Sequence, residues 1–111
     1  MAFEYFMASL LLSKDIFTFA DNIHRIKDFG YKNIPVHFEE ALLWYMGYSK
    51  KYLIPDGYSI RETTLQRFKE YFNAYNRYPG NSDQLAQALI KTYGQTFWFY
   101  YHFGNFQSST K

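Results

Sequence analysis

One stretch of this chain has residue types at a spacing that could do chemistry: His37, Glu39 and Glu40. A histidine and a glutamate three apart share a helix face, so both can reach one metal ion, as in bundle di-iron sites. Those sites need the motif on two helices with further carboxylates. Here it occurs once, in reversed order. The plainer reading puts both glutamates in a solvated first turn, where carboxylates favour the helix dipole. That reading predicts no metal and no other cofactor.

The other two histidines lack a companion at ligand spacing. His24 sits beside Arg25 and Lys27 on a face that reads as wet, and His102 lies among rings. No Gly-x-Ser-x-Gly elbow, phosphate loop or zinc spacing occurs, and the absence of cysteine removes thiolate chemistry and disulfides alike. An enzyme would need distant residues to converge, so the expectation is a chain that is not an enzyme.

Rings and charges interleave in Arg67-Phe68-Lys69, Tyr71-Phe72, Tyr75 and Arg77-Tyr78. Bases can stack on such rings while cations hold phosphates. However, Phe68, Phe72 and Tyr75 read as a buried seam, Glu62 and Glu70 dilute the positive field, and the net charge is only +2. No nucleic-acid partner is expected.

The sharpest local feature is Phe97-Trp98-Phe99-Tyr100-Tyr101-His102-Phe103, with Phe106 beyond it. As a helix, this run points rings in every direction, and a helix apolar all round is normally buried between neighbours. It either plugs the end of the helical stack or offers part of itself to a neighbouring domain, subunit or ligand. Trp98, Tyr100, Tyr101 and His102 are the candidate interaction residues, with Trp98 and Tyr101 on one shared face. A membrane-surface helix is disfavoured, because no lysine or arginine lies between Thr92 and Thr110.

A scaffold must position these residues. The 111 residues are one domain's worth, and 48% of them are hydrophobic, enough to build a core. Aromatic residues are 23% of the chain, from 12 Tyr, 12 Phe and 2 Trp, more rings than a core of this size can hold. No uncharged apolar run reaches the roughly 18–20 residues a membrane helix needs. Met1 to Leu12 carries Glu4 and no basic leader, so no secretion signal is read there. The abrupt helical opening and the ending Gln107-Ser108-Ser109-Thr110-Lys111 read as a piece of something longer, with 1–106 a single helical domain and 107–111 a flexible tail.

Six helical segments are predicted. The first, Ala2 to Leu12, carries Phe3, Phe6, Met7, Leu10 and Leu11 on one face. Ser13 is the expected cap of the second, with Asp15 in its first turn, the seam Ile16, Phe19, Ile23, Ile26, and Gly30 as its left-handed stop. Pro35 fits the first position of the third, which runs to about Tyr48 with Phe38, Ala41, Leu42 and Tyr45 inward. A long connection turns at Pro55-Asp56-Gly57, and Ser59 with Glu62 makes a capping box for the fourth. Its seam is Leu65, Phe68, Phe72, Tyr75, ended by Pro79-Gly80. Ser82 caps the fifth, with Leu85, Ala88, Leu89 and Tyr93 inward and Gly94 after it. Thr96 to Phe103 has strand-like composition, but one isolated strand leaves its backbone unpaired, so a helix is expected. Met7-Ala8-Ser9-Leu10 and Glu40-Ala41-Leu42-Leu43 echo one another at about the length of a tetratricopeptide-type repeat, without that motif's Trp, Gly and Tyr positions.

The series Met7-Ala8-Ser9-Leu10-Leu11-Leu12, Phe29-Gly30-Tyr31, Pro35 with Phe38-Glu39-Glu40-Ala41-Leu42, and Thr96 through Phe103 resembles the C-terminal helical part of an uncharacterised Bacteroidetes membrane-associated family of unknown function. The resemblance spans nearly the whole chain. It implies a larger parent with membrane helices near its N-terminus and a cell-envelope, periplasmic-side setting. It assigns no catalytic residue.

These readings give an all-α fold of five to six helices in antiparallel hairpins, tetratricopeptide-like or solenoid-like. The expected function is a protein-interaction or structural module of a larger envelope-associated protein, meeting a protein partner or itself, with no membrane insertion of this segment. The alternative is a glycan- or peptide-binding domain that uses surface aromatics.

Overall fold

The structure is a computed structural model that describes residues 2–77 and 82–104. Six α-helices and one 3-10 helix, with no strand, make up these described residues. Helix α1, Ala2–Leu12, buries Phe3, Met7 and Leu11, one residue per turn. Phe6 and Leu10 flank that stripe, the first exposed and the second half-buried.

Lys14, at φ 63°, turns the chain out of α1. Helix α2, Ile16–Asn22, is capped by Asp15 and not by Ser13: the Asp15 carboxylate accepts the Thr18 N–H at 3.2 Å. The Ser13 hydroxyl donates back to the Leu10 carbonyl, satisfying the end of α1 instead. The seam Ile16, Phe19, Ile23, Ile26 is wholly buried, as the spacing predicts, yet it runs over two elements. After Asn22 the backbone tightens into a 3-10 helix, Ile23–Phe29. Three residues per turn align Ile23, Ile26 and Phe29. The two isoleucines fill the core, and Phe29 stacks on Phe3 at 4.5 Å. Gly30, at φ 74°, makes the left-handed stop.

Helix α3, Val36–Ser49, starts one residue after Pro35, which takes the cap position. Phe38, Ala41, Leu42 and Leu43 are buried and Tyr45 is half-buried. Helix α4, Glu62–Tyr75, has Arg61 at its cap position with no side-chain cap of its own, so the expected Ser59–Glu62 box does not form. Its buried residues are Thr64 and Tyr71, while Leu65, Phe68, Phe72 and Tyr75 are half-buried. The seam is therefore turned by part of a helical turn and centres on Thr64, Phe68, Tyr71 and Tyr75, spaced 4, 3 and 4 apart.

Helix α5, Ser82–Tyr93, buries Leu85, Ala86, Leu89 and Tyr93. Ala86 takes the inward place expected of Ala88, which is exposed, because the buried stripe leans toward the 86 side. The stop at Pro79-Gly80, the Ser82 side chain and the 107–111 tail lie outside the described residues. Helix α6, Phe97–Phe103, is capped by Thr96, whose hydroxyl oxygen accepts the Phe99 N–H at 3.2 Å. The run is thus helical, as its lack of a pairing strand requires.

Sequential neighbours pack pairwise from α1 to α6, and α3 also packs on α6. Two cores result. The first joins α1, α2, the 3-10 helix and α3; the second joins α3, α4, α5 and α6. Trp44, Met46 and Ile60 touch both, and α6 straddles them, with Phe97 in the first core and Trp98 and Phe99 in the second. The molecule is elongated, 44 × 24 × 22 Å.

Candidate functional site

Glu39 and Glu40 are not in a wet first turn. They are 0% and 4% exposed, the most deeply buried charged side chains described. A buried carboxylate must find donors, and each of these finds them at the start of another helix. Glu39 accepts the Arg61 N–H at 2.8 Å, the Arg61 guanidinium at 2.9 Å and the Thr64 hydroxyl at 2.7 Å. It is the missing cap of α4. Arg61 also donates to the Ile34 carbonyl at 2.9 Å, which ties the turn before α3 to the same pair.

Glu40 does the same for α6. Its Oε1 accepts the Phe97 N–H at 2.8 Å, and its backbone carbonyl accepts the Trp98 indole N–H at 2.8 Å. Two adjacent carboxylates thus hold the positive ends of two helix dipoles from one turn of α3. His37 meets the same Glu40 oxygen through Nδ1 at 2.9 Å. That hydrogen bond raises the His37 pKa above its usual value, against the opposing effect of partial burial. No group of three His, Asp or Glu suited to a metal is found among the described residues.

The four candidate interaction residues fall on different sides. Trp98 is wholly buried, so it has no outward face to share with Tyr101. The cause is its indole N–H, which reaches inward to the Glu40 carbonyl. Tyr100, Tyr101 and His102 are half-buried. The Tyr100 hydroxyl donates to the Leu12 carbonyl and its ring lies 5.3 Å from the Lys14 ammonium. His102 sits in a box of rings: Tyr75 at 4.4 Å, Trp44 at 4.9 Å and Tyr71 parallel at 5.7 Å. The Tyr71 hydroxyl lies 2.7 Å from Nδ1, and a neutral imidazole accepts that proton. Burial, helped by the Lys14 charge, pushes the His102 pKa down to about 4. Burial, helped by Tyr75, holds the Tyr71 phenol well above its usual range. His24 is exposed, as read.

Two recesses stand out among the described residues. The larger, ≈ 510 Å³, is a groove between α1, the start of α3 and the turn into α6. Leu11, Leu12, Val36, Phe97 and Tyr100 supply apolar walls; Glu4, His37 and Gln95 supply the polar groups. Leu12 and Val36 are 67% and 47% exposed although both are apolar. The smaller, ≈ 100 Å³, is a cleft walled by Ile16, Phe17, Trp44, Tyr45, Tyr48 and Tyr101. Neither recess was legible in the sequence as a site. Leu12 and Val36 lie at helix ends, outside the periodic stripes, which was the signal available.

These features define an all-helical domain with aromatic cores, in which buried carboxylates cap neighbouring helices. The chain belongs to a family of unknown function, DUF6057, whose model matches residues 1–104. No curated protein and no solved structure matches the chain. No helix among the described residues is long and apolar enough to cross a membrane.

Proposed function

We propose that this domain is a non-catalytic protein-interaction module of a larger, envelope-associated protein, and that it receives an apolar partner segment in the groove between α1, α3 and α6. The observation that carries the reading is the pairing of an apolar-walled groove with the exposed Leu12 and Val36 at its edge. Apolar side chains at the edge of an apolar recess extend the surface that a partner can cover. The partner's chemistry follows from the rim. Glu4 is exposed there, and His37 already has its own carboxylate in Glu40. The segment that fits carries apolar side chains for the walls and a lysine or arginine for Glu4.

The non-catalytic reading draws support from the groove's hydroxyls. Thr96 donates to the Tyr93 carbonyl and Tyr100 to the Leu12 carbonyl, so neither is a free nucleophile beside His37. The envelope setting and the Bacteroidetes parent rest on the sequence resemblance. The glycan-binding alternative has less support: the aromatic cleft is lined by no carboxylate or amide side chain to hydrogen-bond sugar hydroxyls.

A photo-cross-linking amino acid at Leu12 or Val36 of the natural protein, in cells, tests the proposal. Adducts to one apolar segment with a neighbouring basic residue are expected from both positions. Yields no higher than from the exposed Asn73 overturn it. Adducts to a second copy of the chain would replace the hetero-partner with self-association.

A further inference from the structure

Helix α1 is first in the row of helices, and its outward face differs from those of α4 and α5. Theirs carry charges: Glu62, Arg67, Lys69 and Glu70 on α4, Asp83 and Lys91 on α5, all exposed. The exposed side of α1 carries Ala2, Tyr5, Ser9 and Leu12, with Phe6 beside them. Tyr5 and Leu12 are 79% and 67% exposed. Glu4 is the only charge of this helix, and it stands to one side, in the groove wall. The steps of 3, 4 and 3 residues from Ala2 to Leu12 are those of a coiled-coil seam, while Phe3, Met7 and Leu11 fill the core from the other side. A helix apolar on both sides is suited to packing on both sides.

Two features of the seam point to what covers it. The first is size. Ala2 is small, Tyr5 large, Ser9 small and Leu12 large, so the reversed order is large, small, large, small. Two copies of α1 laid antiparallel about a two-fold axis therefore set Leu12 against Ala2 and Tyr5 against Ser9, each bulky side chain facing a gap. The Ser9 hydroxyl already donates to the Phe6 carbonyl at 2.7 Å, so covering it strands no donor. The second feature is charge. Glu4 lines the groove near the start of α1, and Lys14, just past its end, lies over the ring of Tyr100 in the same groove. In an antiparallel pair like flanks meet, so this flank of one copy faces this flank of the other. Glu4 then stands level with Leu10 of the other copy, and Lys14 follows about one turn on, within reach of a lysine side chain. A parallel pair would instead set Tyr5 on Tyr5 and Glu4 beside Glu4.

We propose that the partner is a second copy of this chain, docked through α1 in an antiparallel, two-fold pair. The inference rests on the docking reading of the groove and names its partner. Leu12-Ser13-Lys14 of the other copy runs beside Glu4 at the groove's rim, and supplies the apolar side chain and the lysine that the rim suits. Two three-turn helices bury less area than a permanent dimer needs, so the pair is weak and reversible, with a Kd of about 10–500 µM.

Sedimentation equilibrium of the whole chain, from about 10 µM to 1 mM, tests the pair. A reversible monomer–dimer equilibrium is expected. Leu12→Asp should weaken it about tenfold or more, and Leu12 is exposed, so the variant keeps the circular dichroism of the parent. Glu4→Lys and Lys14→Glu should each weaken it about fivefold, and the double variant should recover to within about twofold. The chain has no cysteine, so the register can be read by disulfide formation. Tyr5→Cys chains mixed with Ser9→Cys chains should cross-link to one another faster than either does to itself. A chain that stays monomeric to 1 mM, a dimer untouched by Leu12→Asp, no recovery in the charge swap, or faster self-cross-linking of either cysteine variant overturns the proposal. A monomeric chain whose Leu12 and Val36 still cross-link to another protein in cells removes the second copy and keeps the groove; a monomeric chain with background cross-linking removes both.

Discussion

Replacing Glu40 by alanine and by glutamine separates its capping role from its charge. The carboxylate accepts the Phe97 N–H at 2.8 Å in a buried setting and His37 Nδ1 at 2.9 Å near the surface. In Glu40→Ala the Phe97 N–H loses its partner where water does not reach. A charge-assisted hydrogen bond is worth about 1.5–3 kcal/mol, and a buried unsatisfied donor costs about 1–3 kcal/mol, quantities that overlap rather than add. With some loss of packing, the total is about 3 kcal/mol. In Glu40→Gln an amide oxygen remains to accept the same N–H. What goes is the charge facing the helix dipole and His37. The His37 side chain is 65% exposed, so that pair is screened and worth little. Glu40→Gln should therefore cost about 1 kcal/mol.

Urea melts at pH 7 should show this gap of about 2 kcal/mol between the two variants, with similar m-values. A domain of this length holds only about 5–15 kcal/mol in all, so the alanine variant is visibly fragile. If the two variants agree within about 0.5 kcal/mol, Glu40 is not the cap of α6. If both match the parent, the burial of the carboxylate is itself wrong. Glu39 should behave differently. It serves three donors, so a glutamine there turns its NH₂ toward the Arg61 N–H, its guanidinium or the Thr64 hydroxyl. Glu39→Gln should cost more than Glu40→Gln, and Glu39→Ala about 3–5 kcal/mol.

Three further outcomes follow from the same geometry. Tyr71→Ala should cost about 3–5 kcal/mol and Phe72→Ala less, about 2 kcal/mol, because Tyr71 is fully buried and Phe72 only partly; urea melts rank them. Gly94→Ala should destabilise by about 1–3 kcal/mol, since its Cβ would stand 2.5 Å from the Ile90 carbonyl oxygen, and thermal melts would show a lower Tm. Zinc titrated calorimetrically should give no saturable binding at His37, because the neighbouring carboxylates are already occupied by Arg61, Thr64 and Phe97.

What the sequence made legible was periodicity. Phe3, Met7 and Leu11, then Ile16, Phe19, Ile23 and Ile26, then Phe38, Ala41 and Leu42 were read inward and are inward. What it hid were partners far along the chain. Glu39 and Glu40 look like ordinary first-turn acids, and only the fold brings them to Arg61 and Phe97, 22 and 57 residues away. Two caps are displaced, one by a neighbouring residue and one by a distant partner. Ser13 and Ser59 have capping chemistry, but Asp15 stands one residue before α2, and the α4 cap comes from another helix. The α4 seam differs in phase because Phe72, the more apolar ring, lies beside the buried line that runs through Phe68 and Tyr71. Tyr71 holds that place because its hydroxyl finds His102 inside. Trp98 is a candidate interaction residue in the sequence, and it is buried instead because its indole N–H reaches the Glu40 carbonyl, 58 residues away.

His102 supplies a last prediction, one in which the sign decides. Its folded pKa of about 4 lies below the ordinary 6.5, chiefly because burial among Trp44, Tyr71 and Tyr75 disfavours the charged ring. Between these values the unfolded chain holds a proton that the folded chain does not. Stability is therefore whole above about pH 6.5 and falls as pH drops toward 4. The full difference would correspond to about 3 kcal/mol, but the ring is only half-buried, so about 1–2 kcal/mol is the expected loss. His37 works the other way. Its pKa is raised by Glu40, so its small contribution is present at low pH and fades as pH rises through the folded value. A His102→Asn variant should lose most of the acid-side slope, and a His37→Asn variant should keep it. Urea melts from pH 7 to 4 decide the matter. An unchanged slope in His102→Asn would mean that the imidazole is wet, and that the ring box around it opens in solution.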